Sequence, residues 1–144
     1  MAFVDDGDVQ THLPIDRLKV ESVPDDLTRA KLDGERIVRG YLTGVVDSAV
    51  LATWTEPEFT PEIIRAITGR FVAALLFRVR FGSNSRDDPT FAQRLYNEAM
   101  SMIGDIIAGN TQIPDVVVGT DFNNTWFEPN NASDPPKFTM ADTY

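Results

Sequence analysis

Residues Asp88–Pro114, DPTFAQRLYNEAMSMIGDIIAGNTQIP, decide the fold. Asp88 is a candidate helix cap, and Pro89 suits the first helical position, where a missing N–H costs nothing. Phe91, Leu95, Ala99, Met102/Ile103 and Ile106/Ile107 then recur at the three-and-four spacing of one helical face. Gly109 offers a left-handed stop, and Pro114 forbids continuation. The spacing therefore predicts an amphipathic rod over Pro89–Gly109. About twenty residues at 1.5 Å each give it a length of roughly 30 Å, the span of a small domain.

Immediately upstream, Thr60-Pro61-Glu62 opens a second long helix that runs to Phe81, with Thr60 as its candidate cap. Ile63, Ile64, Ile67, Phe71, Ala74/Leu75 and Phe77 make it apolar nearly all round after Arg70, the mark of a central helix. The polar stretch GSNSRD at Gly82–Asp87 is a turn by composition. Two long helices joined by so short a link run antiparallel and share an apolar seam. Arg65, Arg70, Arg78 and Arg80 form either an anion-binding stripe or a set of salt-bridge partners and interface residues. No Gly-rich phosphate cradle accompanies them, which favours the second.

Working back toward the N-terminus, Asp25–Thr43 reads as the first long helix, with Leu27, Ala30, Gly34, Ile37/Val38 and Tyr41 on its apolar face. Gly34 on that face weakens an isolated helix by about 1 kcal/mol relative to Ala. Close approach of a neighbouring helix is the expected compensation. Gly44 is the better of two candidate stops. Between the long helices, Val45–Thr60 is an unusually apolar connection. Either it packs back over the helices, with a turn of helix at Asp47–Leu51, or a partner covers it; Trp54 is its key residue. Ile15–Val23 is open between a short helix and an extended connector. Asp8–Leu13 is a short leading helix, and Asp5, Asp6 and Asp8 sit at its positive end, as the helix dipole favours. Those aspartates resemble part of a calcium loop, but the Gly and Glu required at its sixth and twelfth positions are missing.

The expected fold is thus all-α: a small helical bundle (1–115) with two long antiparallel core helices, a first long helix and a short N-terminal helix. An extended C-terminal arm (116–144) follows. The arm is rich in Asn, Asp and Pro, yet carries Phe122, Trp126, Phe127, Phe138 and Tyr144. A tail without a binding role is poor in aromatics. These five residues and Trp54 are the candidate interface residues.

Composition narrows the chemistry. The chain has 144 residues, 22 acidic and 13 basic, for a formal net charge of −9. That balance disfavours a phosphate-gripping surface. There is no cysteine and one histidine, His12, which leaves few routes to covalent or acid–base catalysis near neutral pH. No Walker loop, dinucleotide glycine pattern, paired metal-binding histidines or nucleophile elbow occurs. The expectation is a non-enzyme with no cofactor, no catalytic residue and no metal site. The longest apolar run, Phe71–Phe77, is far short of the roughly 20 residues of a membrane span, and the N-terminus lacks a secretory pattern. A soluble protein made in the cytoplasm is expected, with no membrane partner.

The segment TPEIIRAITGRFVAALLFR, the polar turn and YNEAMSMIGDIIAGNTQIP together resemble the phage head–tail connector (adaptor) proteins, including the Mu-type small helical neck group. LDGERIVRGYLTG (Leu32–Gly44) looks like that family's first long helix and VDDGDVQTHLP like its leading one. The resemblance covers Val4–Pro114 and rests on the order of elements more than on any single residue. It implies a homo-oligomeric ring, usually dodecameric, seated beneath the portal protein and meeting a neck stopper or tail-completion protein. Genomic DNA would pass through the lumen without specific binding, and the protein would reside in the virion. The competing expectation is a monomeric cytoplasmic helical module that binds one partner.

Overall fold

The computed structural model describes residues 3–81, 89–114 and 116. Among these, the ordered elements are five α-helices: α1 (Asp6–Gln10), α2 (Pro24–Leu42), α3 (Ser48–Thr53), α4 (Glu62–Phe81) and α5 (Pro89–Ile107). Short 3-10 turns sit at Val20–Ser22 and Pro57–Phe59. The architecture is the expected all-α bundle, with α4 packed between α2 and α5 and also touched by α1.

The pattern of burial explains why α4 is central. Ile67–Gly69 and Phe71–Ala74 are buried, and in the middle turns only Arg70, between the two runs, reaches partly to solvent. Thr68 is itself fully buried, and its hydroxyl donates to the Ile64 carbonyl at 2.8 Å, satisfying the one polar side chain there. The α4–α5 seam runs antiparallel. Phe77 meets Phe91 (ring centroids 4.9 Å), Phe71 meets Tyr96 (5.2 Å), and Arg70 reaches Glu98 at 3.7 Å. As the α4 numbers fall, the α5 numbers rise. α5 buries Ala92, Leu95, Ala99, Ile103 and Ile106, close to the face read from spacing.

The α2–α4 contact is set by a glycine. A β-carbon at Gly34 would lie 2.6 Å from Val72 Cγ2 and 3.5 Å from the Val72 nitrogen, so only glycine lets the helices approach this closely. The helix-weakening residue is offset by packing, as expected of it. Gly69 plays the same part toward α1, where a β-carbon would stand 3.1 Å from the Asp8 carbonyl oxygen.

The ends of the helices follow local chemistry, with some corrections. α1 begins earlier than Asp8–Leu13 because Asp5 caps it: its carboxylate accepts the Asp8 amide at 2.8 Å, and Asp8 returns the bond at 3.0 Å. Ile15–Val23 is a connector with one 3-10 turn rather than a helix. The Gln10 side chain fixes it by accepting from the Val20 amide (2.9 Å) and donating to the Leu18 carbonyl (3.1 Å). α2 ends with Thr43 in a right-handed conformation, and Gly44 is not the left-handed stop expected of it. Gly109, at φ 82°, is one; the amides of Gly109 and Asn110 turn back to Ile106 and Asp105, closing α5 as a Schellman motif. Thr60 does not act as expected either. Its hydroxyl donates to Glu56 at 2.9 Å, while the Pro61 carbonyl receives the amides of Ile64 and Arg65. Asp88, the expected cap of α5, lies outside the described residues, as does the arm beyond Val116.

The Val45–Thr60 connection packs back onto the chain. Arg39 of α2 holds it by donating to the carbonyls of Leu51 (3.2 Å) and Trp54 (2.8 Å) and to Glu35 (2.9 Å). The same guanidinium lies over the Phe3 ring at 4.5 Å, and Phe3 meets Trp54 edge-on. One cation thus binds the N-terminal residues and the α3 region to α2.

Three outcomes are expected. Gly34→Ala destabilises by about 1–3 kcal/mol in chemical denaturation, because buried Val72 is a stiff β-branched neighbour. Adding Val72→Ala to Gly34→Ala recovers part of that loss, giving a favourable coupling in a double-mutant cycle. Arg39→Leu costs roughly 2–3 kcal/mol, since two carbonyls and the Glu35 carboxylate lose a charged donor; an unchanged denaturation midpoint would contradict the bracing role.

Candidate functional site

Asp8 of α1 and the charged side chains in the first half of α4 line an open cleft of about 420 Å³ between α1, the Pro57–Phe59 turn and α4. Helical spacing places Arg65 and Arg70 on α4, while α1 and the turn after it supply Asp8 and His12. Glu58 and Glu62 stand at the rim. The contacts are mostly internal. Arg65 donates Nε–H to Asp8 Oδ2 at 3.0 Å and Nη2–H to Asp8 Oδ1 at 2.9 Å, and also reaches Asp5 at 3.2 Å. Such a forked pair is the strongest geometry open to these groups. The hydrogen bond to Asp8 raises the Arg65 pKa above its ordinary value, burial opposes it, and the charges of Asp8, Asp5 and Glu62 add to the rise. Asp6 pairs with Lys31 of α2, so α1 is clasped to both α4 and α2.

His12 is half-buried beside this clasp. Burial lowers its pKa below 6.5, and the positive charge of Arg70 adds to the effect; Glu98 and Asp8 oppose it. At neutral pH it is a neutral imidazole. Arg70 donates to the Ala66 carbonyl at 3.0 Å and faces Glu98. The arginines expected as salt-bridge partners do serve so at Arg65 and Arg70. Arg78 instead donates to Gln93 at 2.7 Å and lies over Tyr96. The cleft is therefore an electrostatic brace whose cations already have partners. Among the described residues, no group of three or more His, Cys, Asp or Glu is placed to hold a metal ion. No helix among them is long and apolar enough to cross a membrane.

Of the candidate interface residues, Trp54 is 3% exposed and turned inward on Phe3. Of the two readings of its loop, the chain's own packing is the one realised at this ring. Phe122, Trp126, Phe127, Phe138 and Tyr144 lie outside the described residues. The aromatic ring that this loop does present is Phe59, 61% exposed on the 3-10 turn. Its signal in the sequence was the acidic, proline-bearing run EPEF, in which nothing calls for an inward ring. Comparison with family models, curated proteins and solved structures finds no match.

The His12 shift predicts a pH dependence with a definite sign. Its folded pKa is depressed, so the unfolded chain takes up the proton first as pH falls below 6.5. Stability is full above that value and declines toward the folded pKa. His12→Gln should flatten the stability profile just below pH 6.5, before the carboxylates titrate; an identical slope in both proteins would contradict it.

Proposed function

We propose that this chain is a structural virion protein, a head-to-tail connector that forms a ring beneath the portal and joins the capsid to the tail. The observation that carries the reading is the order of elements. A short leading helix, a long helix and a long antiparallel pair come in the order by which the sequence resembles the connector family, and the long Val45–Thr60 connection is an elaboration on that pattern. The partners under this reading are further copies of the chain, the portal protein and a neck stopper or tail-completion protein.

The net charge of −9 suits a ring through which DNA passes. Charge of the same sign as the phosphates gives the duplex no electrostatic hold. The aromatic residues of the arm are the expected anchors on the portal or an adjacent subunit, since buried aromatics dominate many interfaces.

Electron microscopy of the protein, alone and mixed with a candidate portal protein, tests the proposal. Rings, dodecameric when seated on the portal, are expected. A persistent monomer that does not bind the portal contradicts the connector and favours the monomeric binding module.

A further inference from the structure

We infer that the segment Asp5–Leu13 is a proton-released latch on α4: charging His12 opens it as one unit while α2, α4 and α5 stay packed.

The latch is short and held mainly at its edges. α1 spans five residues, and the turn after it ends at buried Leu13. Arg65 grips Asp8 and Asp5 from α4, Lys31 grips Asp6 from α2, and Val9 and Leu13 are the apolar anchors. Gln10 extends the unit beyond the turn. Its side chain accepts the Val20 amide and donates to the Leu18 carbonyl, so lifting α1 breaks both bonds to the connector. Short elements whose polar bonds are partly exposed are the ones that open below the free energy of global unfolding.

His12 sits where the latch meets α4. A β-carbon at Gly69 would stand 3.3 Å from His12 Cδ2 and 3.1 Å from the Asp8 carbonyl oxygen, so the ring rests on the α4 backbone beside Arg70. The cleft that His12 lines is open, which gives a proton access to the ring.

The charges around the ring decide which form takes that proton. Arg65 and Arg70 face it from α4, Glu98 from α5, and Asp8 and Asp5 from its own segment; exposed Glu58 and Glu62 line the same cleft. The nearer carboxylates are already engaged. Asp8 is forked onto Arg65, and Glu98 is shared by Arg70 at 3.7 Å and Arg94 at 3.9 Å. A charged imidazole in the closed latch is therefore penalised by burial and by Arg70, which outweigh Glu98 and Asp8 and hold its pKa below 6.5. The open segment carries the ring into water, where neither penalty applies. Closure has its full strength above pH 6.5 and weakens as pH falls toward the folded pKa. With one proton involved, opening grows by at most about tenfold per pH unit. It uncovers Val9, Leu13 and the α4 backbone at Gly69.

Amide hydrogen exchange of the full chain, corrected for intrinsic rates, tests the latch between about pH 7.5 and about pH 5.5, above the ordinary carboxylate range. Protection of the Thr11, His12 and Leu13 amides should fall several-fold, and that of Val20 should fall with them. At both pH values these amides should open at lower free energy than Phe71–Phe77. His12→Gln should remove the pH response. Arg70→Gln should shrink it and Glu98→Gln should enlarge it, opposite changes that a purely structural histidine would not give. Four results would each overturn the latch: protection that does not change, a fall that spares Val20, opening only together with Phe71–Phe77, or an undiminished response in His12→Gln.

Discussion

The close approach of α2 to α4 at Gly34 is the constraint on which the structure depends. A β-carbon there would stand 2.6 Å from Val72 Cγ2, inside van der Waals contact, so the two backbones can come together only where that atom is missing. Their nearness lets Leu27, Ala30, Val38 and Leu42 bury against α4 from one side while α5 covers the other. The sacrifice of helix propensity at one glycine is about 1 kcal/mol. Burial of a single large aliphatic side chain returns about 1.5–3 kcal/mol, so packing wins.

Around this apolar axis the polar contacts work at the edges. Arg65 with Asp8 and Asp5, and Lys31 with Asp6, secure α1 to α4 and α2. Arg39 secures Phe3 and the Trp54 loop. These ion pairs are partly exposed and individually modest in worth. Their importance is positional: they join segments far apart in sequence whose apolar contacts alone would leave their register loosely defined. The cleft that results has Arg65 and Arg70 engaged by carboxylates of the chain itself. Large apolar side chains left exposed outside these contacts include Phe59 on the 3-10 turn, Ile15 before it in the chain and Val79 near the end of α4.

Helix positions were legible because periodicity and punctuation are local. Pro24, Pro89 and Gly109 mark boundaries through backbone geometry, and the face of α5 through Leu95, Ala99 and Ile103 follows from the helical repeat. Gly34 announced a close approach, though not its partner; Val72 is nearly forty residues away. Other features depend on three dimensions. Trp54 reads as an interface residue until Arg39 and Phe3 are brought to it, and Phe59 passes unnoticed until both flanks of its turn are seen to be anchored. Thr60 has the chemistry of a cap but donates to Glu56, because the preceding 3-10 turn places that carbonyl nearer. Asp5 and Asp8 read correctly as acidic residues at a helix start; their second role, gripping Arg65, required the tertiary fold.

The central claim is that α4 is the last element to lose its structure, because the others pack on it. Native-state hydrogen exchange tests this directly, since amides in the most deeply packed element open only with the whole molecule. The slowest exchange is predicted for the amides of Phe71–Phe77, with opening free energy equal to that of global unfolding. Faster exchange there than in both α2 and α5 would contradict the account.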